Sequence, residues 1–159
     1  MGSGDINLEK WARWRLVVIC FLAQNCAMGL AFGSFGALLQ STEEHFGVSR
    51  ALASTGMSLM TLAIGGLAPV LGHVLQKISV RLAMVAAAVV SGLAYWGLTV
   101  AADFRLALFL YGVIGLGVVV LAILGPLTLL SRWFRDNRAK VLAIVNLPLF
   151  MFVTPYLVG

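Results

Sequence analysis

Charge is missing from most of this sequence. Five long apolar runs, 16–39, 51–76, 82–102, 106–131 and 141–159, contain no Asp, Glu, Lys or Arg. All eleven basic and six acidic residues lie before or between them. A soluble protein has no reason to sort its charges this way. A bilayer does, because a charge at mid-membrane costs roughly 2.5–3.5 kcal/mol even on lenient insertion scales. Also lacking are a cluster of metal ligands, a nucleophile beside a base, and a glycine-rich phosphate loop. His45 and His73 fall near run ends, so no run interior offers a carboxylate, Lys, Arg or His for a proton relay. These absences argue against an enzyme, a bound metal and a cofactor. Cysteine is scarce: Cys20 and Cys26 share one expected helix. Six residues of helical rise separate them by about 9 Å, too far for a disulfide. They read as packing residues.

Apolar length is what the sequence has in abundance. The chain is 61% hydrophobic, with a mean hydropathy of +1.00, beyond what a soluble core absorbs. Each run meets the ~17–25 residues a membrane-spanning helix needs. The expected fold is all-α, a polytopic bundle with five spans, preceded by a cytoplasmic segment, 1–15. A net charge of +5 does not indicate nucleic acid here, because the basic residues flank apolar runs instead of forming one patch. The first run exceeds the ~7–15 apolar residues of a signal peptide, so it counts as a span.

Nine of the eleven basic residues fall on one side of the expected topology: Lys10, Arg13, Arg15, Lys77, Arg81, Arg132, Arg135, Arg138 and Lys140. The other side has only Arg50 and Arg105, with Glu43, Glu44 and Asp103. The positive-inside rule then makes the N-terminus cytoplasmic. Trp11, Trp14 and Trp133 stand beside basic residues, at the interfacial level where tryptophan is enriched.

Small residues mark faces that meet protein. Gly29 and Gly33 form a GxxxG pair with Gly36 one turn on; Ser54, Ser58, Thr61, Gly65, Pro69 and Gly72 make a stripe on span 2; Tyr111, Gly115, Ala122 and Pro126 recur on span 4. Such stripes let helices approach closely. Gln24, Asn25 and Asn146 lie inside spans, where an unpaired amide is expensive. Two readings stand for them: an interhelical hydrogen bond, or the wall of a substrate cavity. Phe32 and Phe150, about two turns further out, are candidates for the same wall. Pro148 and Pro155 interrupt span 5, an interruption that transporters place near their sites.

Several local motifs share one resemblance. The segment His45-Phe46-Gly47-Val48-Ser49-Arg50-Ala51 leads into span 2, with Ser49 as its N-cap. Pro69-x-x-Gly72 ends that span. Residues 72–81 then match the spacing of a G-x-x-x-D-R-x-G-R-R loop through Gly72, Lys77 and Arg81, with Gln76 in place of the acid and Ser79 in place of the second glycine. Gly115-Leu116-Gly117 comes next, on span 4, and Trp133-Phe134-Arg135-Asp136-Asn137-Arg138 is similar to a W-F-x-x-x-R segment leading into span 5. In order and sidedness, over about residues 14–155, these resemble the amino-terminal half of a major facilitator superfamily transporter. The nearest branch is that of the monocarboxylate and oxalate–formate carriers, although span 1 has no acid and Asn146-Leu147-Pro148 stands where that branch often has Ala-Gly. Tyr111 stands where many proton-coupled antiporters carry Arg.

The resemblance implies secondary transport of a small organic solute, an organic anion such as a monocarboxylate, with or without a coupling ion, across a plasma or inner membrane. It implies cavity contacts at Gln24, Asn25, Phe32, Tyr111, Asn146 and Phe150, helix packing at Gly29, Gly33, Gly65, Pro69 and Gly115, and a cytoplasmic brace of Gly72, Lys77, Arg81, Arg135 and Arg138. Such transporters have two six-helix halves. Five helices ending at residue 159 are then expected to be a piece, with a carboxy-terminal half or partner chain holding the cationic substrate residues. The alternative is a small membrane assembly subunit, or a fragment, without transport of its own.

Overall fold

The computed structural model describes residues 3–33, 35–134, 137–147, 149–150 and 152–153. Among these, all regular structure is helical. Span 1 is built from α1 (Ser3–Met28), a π-helical turn (Gly29–Gly33) and α2 (Phe35–Phe46). Helix therefore runs well past both ends of the apolar run, back through the basic segment and on through Glu43 and Glu44. Gly47 comes next with φ +61, a left-handed backbone that glycine adopts at no steric cost. That residue reverses the chain into span 2.

Span 2 comprises α3 (Arg50–Ala53) and α4 (Thr55–Lys77). Ser49 caps it: its hydroxyl accepts the Leu52 N–H at 3.4 Å, satisfying one of the donors every helix start leaves open. Pro69 stays inside α4 without ending it. Span 3 is α5 (Val80–Val100). Span 4 is α6 (Phe104–Val118), a π-helical turn (Val119–Leu124) and α7 (Gly125–Trp133). Pro126 explains that turn. A proline cannot donate to the carbonyl four residues back and its ring clashes there. Widening the helix moves the neighbouring bond one residue further, so that Gly125 N–H reaches Val120 O.

Among the described residues, four helices are long and apolar enough to cross a membrane: Arg13–Gly33, Arg50–Lys77, Val80–Val100 and Phe104–Trp133. The fifth run forms α8 (Arg138–Val145) and stops at a turn at Asn146. Much of the rest of that run, Pro148 and Pro155 included, lies outside the described residues.

Span 4 is the hub. Half of its most apolar stretch is buried, against 11% for spans 2 and 3. It packs most closely on α4 and α5, and its π-turn meets α1. One core cluster joins Ala31, Met60, Ala94, Ile114, Val118 and Ala122, drawn from four spans. A second, of Val17, Cys20, Leu130, Val141 and Val145, ties span 1 and the end of span 4 to α8. Between spans 2 and 4, close approach depends on glycine at two points. A Cβ on Gly115 would lie 2.6 Å from Met60 O, and one on Gly56 would lie 2.7 Å from the Tyr111 ring. The outer faces carry Leu62, Val70, Val89, Leu93, Trp96 and Phe109 in the open. Water would penalise such a surface, whereas lipid tails are as apolar as leucine. Cys20 is buried and Cys26 exposed, and both thiols are free.

Candidate functional site

Two adjacent amides stand midway along span 1. Asn25 is 1% exposed and Gln24 6%. Both side chains are engaged. Gln24 Nε2 donates to Asn146 Oδ1 at 2.7 Å. Asn25 Nδ2 donates to Phe21 O at 3.1 Å, and its Oδ1 accepts the backbone N–H of Phe150 at 3.1 Å. Asn146 completes the set by donating from Nδ2 to Leu142 O at 2.8 Å. The three amides thus form one cluster between span 1 and span 5. The cluster sits where α8 ends, and a helix end leaves backbone groups without intrahelical partners. Asn25 takes up one of the N–H groups beyond that end. In the membrane interior each such group left open costs several kcal/mol, so these side chains and the interruption of span 5 require one another.

Phe150 adjoins this cluster through its backbone and is 38% exposed. Phe32 does not join it. It lies in the π-helical turn of span 1 and packs against the core cluster around Met60 and Ile114. Tyr111 is also elsewhere, buried near the end of the bundle that carries Glu43 and Asp103. Thr42 donates its hydroxyl proton to Leu38 O at 2.7 Å, so Tyr111 O–H is left as donor to Thr42 Oγ1 at 3.2 Å. The Tyr111 ring packs edge-on against Phe35, centroids 6.2 Å apart, and lies over Gly56.

Beside this pair opens a cavity of ≈ 520 Å³ whose lining includes Thr42, His45, Tyr95, Thr99 and Tyr111. His45 closes its rim through Nε2 to Ala101 O at 3.2 Å, and Phe46 stacks edge-on with Phe104. Thr42, Tyr95 and Thr99 are absent from the sequence-based expectations. Thr42 lies beyond the end of the first apolar run, so run length alone assigns it to a loop. Only the continuation of α2 to Phe46 turns it inward.

The glycines expected to pack divide similarly. Gly115 sits against Met60, and Gly29 is buried in the π-helical turn, with Gly33 half-buried at its end. Gly65 and Pro69 face outward. Gly65 lines a shallow groove of ≈ 750 Å³ along span 2 with Ser54, Ser58 and Thr61. At the basic end, Gly72 and Arg138 border one cavity of ≈ 410 Å³. Lys77 and Arg81 are exposed nearby in sequence, at the turn between α4 and α5. Arg135 lies outside the described residues. Among the described residues no group of His, Cys, Asp and Glu is arranged to hold a metal ion.

These features are those of a helix bundle that keeps polar groups inside the membrane and engages them across helices. No curated protein and no solved structure matches the chain. The sequence profile of the Major Facilitator Superfamily does match it, over residues 20–159. That match takes in most of the first long apolar helix, the other three and the amide cluster, and the chain belongs to the major facilitator superfamily of membrane transporters.

Proposed function

We propose that this chain is the amino-terminal part of a secondary transporter that moves a small organic solute by rocking-type alternating access. The observation that carries this reading is the amide cluster: Gln24 and Asn25 hold an interrupted span 5 from a position near the middle of span 1. Interrupted helices near mid-membrane are where such transporters bind their solutes. Gln24, Asn25, Asn146 and the adjoining Phe150 are the proposed solute contacts nearest that break; Phe32, packed in the core, and Tyr111, at the cavity of the acidic end, are the two further candidates. The solute assigned is an organic anion such as a monocarboxylate, on the strength of the local motifs that resemble that branch. The cationic groups to hold it are then supplied by a second half or a partner chain. The open groove along Ser54, Ser58, Thr61 and Gly65 is its docking face. The N-terminus is cytoplasmic, and Gly72, Lys77, Arg81, Arg135 and Arg138 brace that face in a plasma or inner membrane.

The test is uptake in a complete, working transporter carrying Asn25→Leu. The variant removes the acceptor for Phe150 N–H and the polar edge of the cavity together. Loss of uptake, or a raised KM for a small monocarboxylate, is the expected result. Uptake with KM and maximal rate both unchanged removes Asn25 from the site. Failure of a monocarboxylate to compete for uptake in the unaltered transporter removes the anion assignment alone.

A further inference from the structure

The cavity at the basic end has an unusual lining. Its polar wall is Gln76, Thr128, Ser131, Arg132 and Arg138; its inner wall is Leu75, Leu124 and Leu127. Among the described residues no carboxylate borders it, and neither arginine has an ion-pair partner. The one acid in the stretch 132–140, Asp136, lies outside the described residues. Gln76 occupies the position where an acid would balance the charge, and the amide neutralises nothing. The first turn of α8 carries Arg138 and no acid, so the helix dipole adds to the positive potential there. Nothing fills the space over Gly72.

Depth gives the cavity two ends of different character. Leu75 precedes Gln76 along α4, and Leu124 and Leu127 precede Thr128, Ser131 and Arg132 along span 4, so the leucines lie on the side away from the basic end. The arginines stand at the mouth. Arg132 is one residue from Trp133, which is 51% exposed at the level interfacial tryptophans favour. Guanidinium groups bind phosphate through paired N–H donors. An apolar wall beneath two arginines matches a phosphate attached to a glyceryl ester and its acyl chains. The side with the excess of basic residues is the one that faces anionic cytoplasmic lipid.

We infer that this cavity between α4, α7 and α8 holds the phosphate headgroup of an anionic phospholipid, gripped by Arg132 and Arg138, with the acyl ester region against Leu75, Leu124 and Leu127. This site is separate from the amide cluster and does not depend on which solute the protein moves.

The test is a lipid titration of the intact chain in neutral detergent, read by the midpoint of thermal unfolding. Phosphatidylglycerol is expected to raise the midpoint. Phosphatidylcholine, and inorganic phosphate at equal concentration, are not. Replacing both arginines (Arg132→Gln with Arg138→Gln) is expected to weaken the apparent affinity for phosphatidylglycerol on the order of 30-fold, each arginine contributing about fivefold near an anionic surface. Arg105→Gln, at the other end of the bundle, is expected to change nothing. Gln76→Asp keeps both arginines but introduces the missing carboxylate, and it is expected to weaken the lipid effect as well. That variant decides the matter should the double variant fail to fold. An undiminished effect in Gln76→Asp and in the double variant overturns the proposal. An equal effect of phosphatidylcholine overturns it too, and an equal effect of inorganic phosphate replaces the lipid with a free anion.

Discussion

Gly115 and Gly65 are the same residue type on neighbouring spans with opposite surroundings. A Cβ at Gly115 meets the Met60 carbonyl at 2.6 Å, whereas at Gly65 it meets nothing within 4 Å. The Met60 carbonyl belongs to a helix backbone and cannot swing aside. Gly115→Ala is therefore expected to destabilise the bundle by roughly 1–3 kcal/mol, the usual range for overpacking. Gly65→Ala in the same preparation is expected to be neutral, or slightly stabilising through its better helix propensity. Thermal unfolding in one detergent compares them directly, and equal effects would show that spans 2 and 4 approach less closely than a 2.6 Å clash requires. The amides allow a second measurement. Gln24→Leu and Asn146→Leu each break the 2.7 Å bond between them. A double-mutant cycle is expected to give a coupling of roughly 0.6–1.7 kcal/mol, the range for hydrogen bonds between membrane helices. A coupling near zero would mean that the two side chains do not meet.

Among the described residues two spans contain π-helical turns, at Gly29–Gly33 and at Val119–Leu124, and apolar periodicity alone reads both spans as unbroken. The second is a consequence of Pro126 and has its own glycine requirement. A Cβ on Gly125 would lie 2.5 Å from Val120 O and 2.8 Å from Met84. Gly125→Ala is expected to loosen this junction selectively. Hydrogen exchange of the amides at 119–125 should speed up, while α5 keeps its protection; uniform acceleration across the bundle would point instead to general destabilisation. Tyr111 links elements in another way, since its ring covers Gly56 of α4 and its hydroxyl reaches Thr42 of α2. Tyr111→Phe keeps the ring contact and removes only the hydrogen bond, so a loss of about 0.5–1.5 kcal/mol is expected, again by thermal unfolding.

The whole molecule has one end rich in Lys and Arg and another holding Glu43, Glu44 and Asp103. Orientation can be tested by labelling intact cells with a membrane-impermeant maleimide, after Cys20→Ala and Cys26→Ala. Asp103→Cys is expected to react from outside. Lys77→Cys and Lys140→Cys are expected to react only after the membrane is opened. The reverse pattern would invert the topology, moving the basic cavity to the outer leaflet. The ion pair of Arg50 Nε with Glu43 Oε1, at 3.8 Å, is too long and too exposed to fix orientation, because such surface pairs contribute roughly 0–1 kcal/mol. Segregated charge does so collectively.

By itself the sequence determined where three of the long apolar helices lie. Runs 51–76, 82–102 and 106–131 became helices within two residues of those limits, because the cost of a charge in lipid is local and is written residue by residue. It also determined that Gln24, Asn25 and Asn146 need partners, since an unpaired amide in an apolar medium is costly wherever the chain goes. Which partners they take was decided only by the tertiary structure. Gln24 finds Asn146 122 positions away, and Asn25 finds a backbone N–H beyond the end of α8. Tyr111 shares a helix with Gly115 yet serves the opposite end of the bundle from the basic cavity. That cavity exists because α4, α7 and α8 converge, and convergence depends on crossing angles and close approaches that no single run encodes.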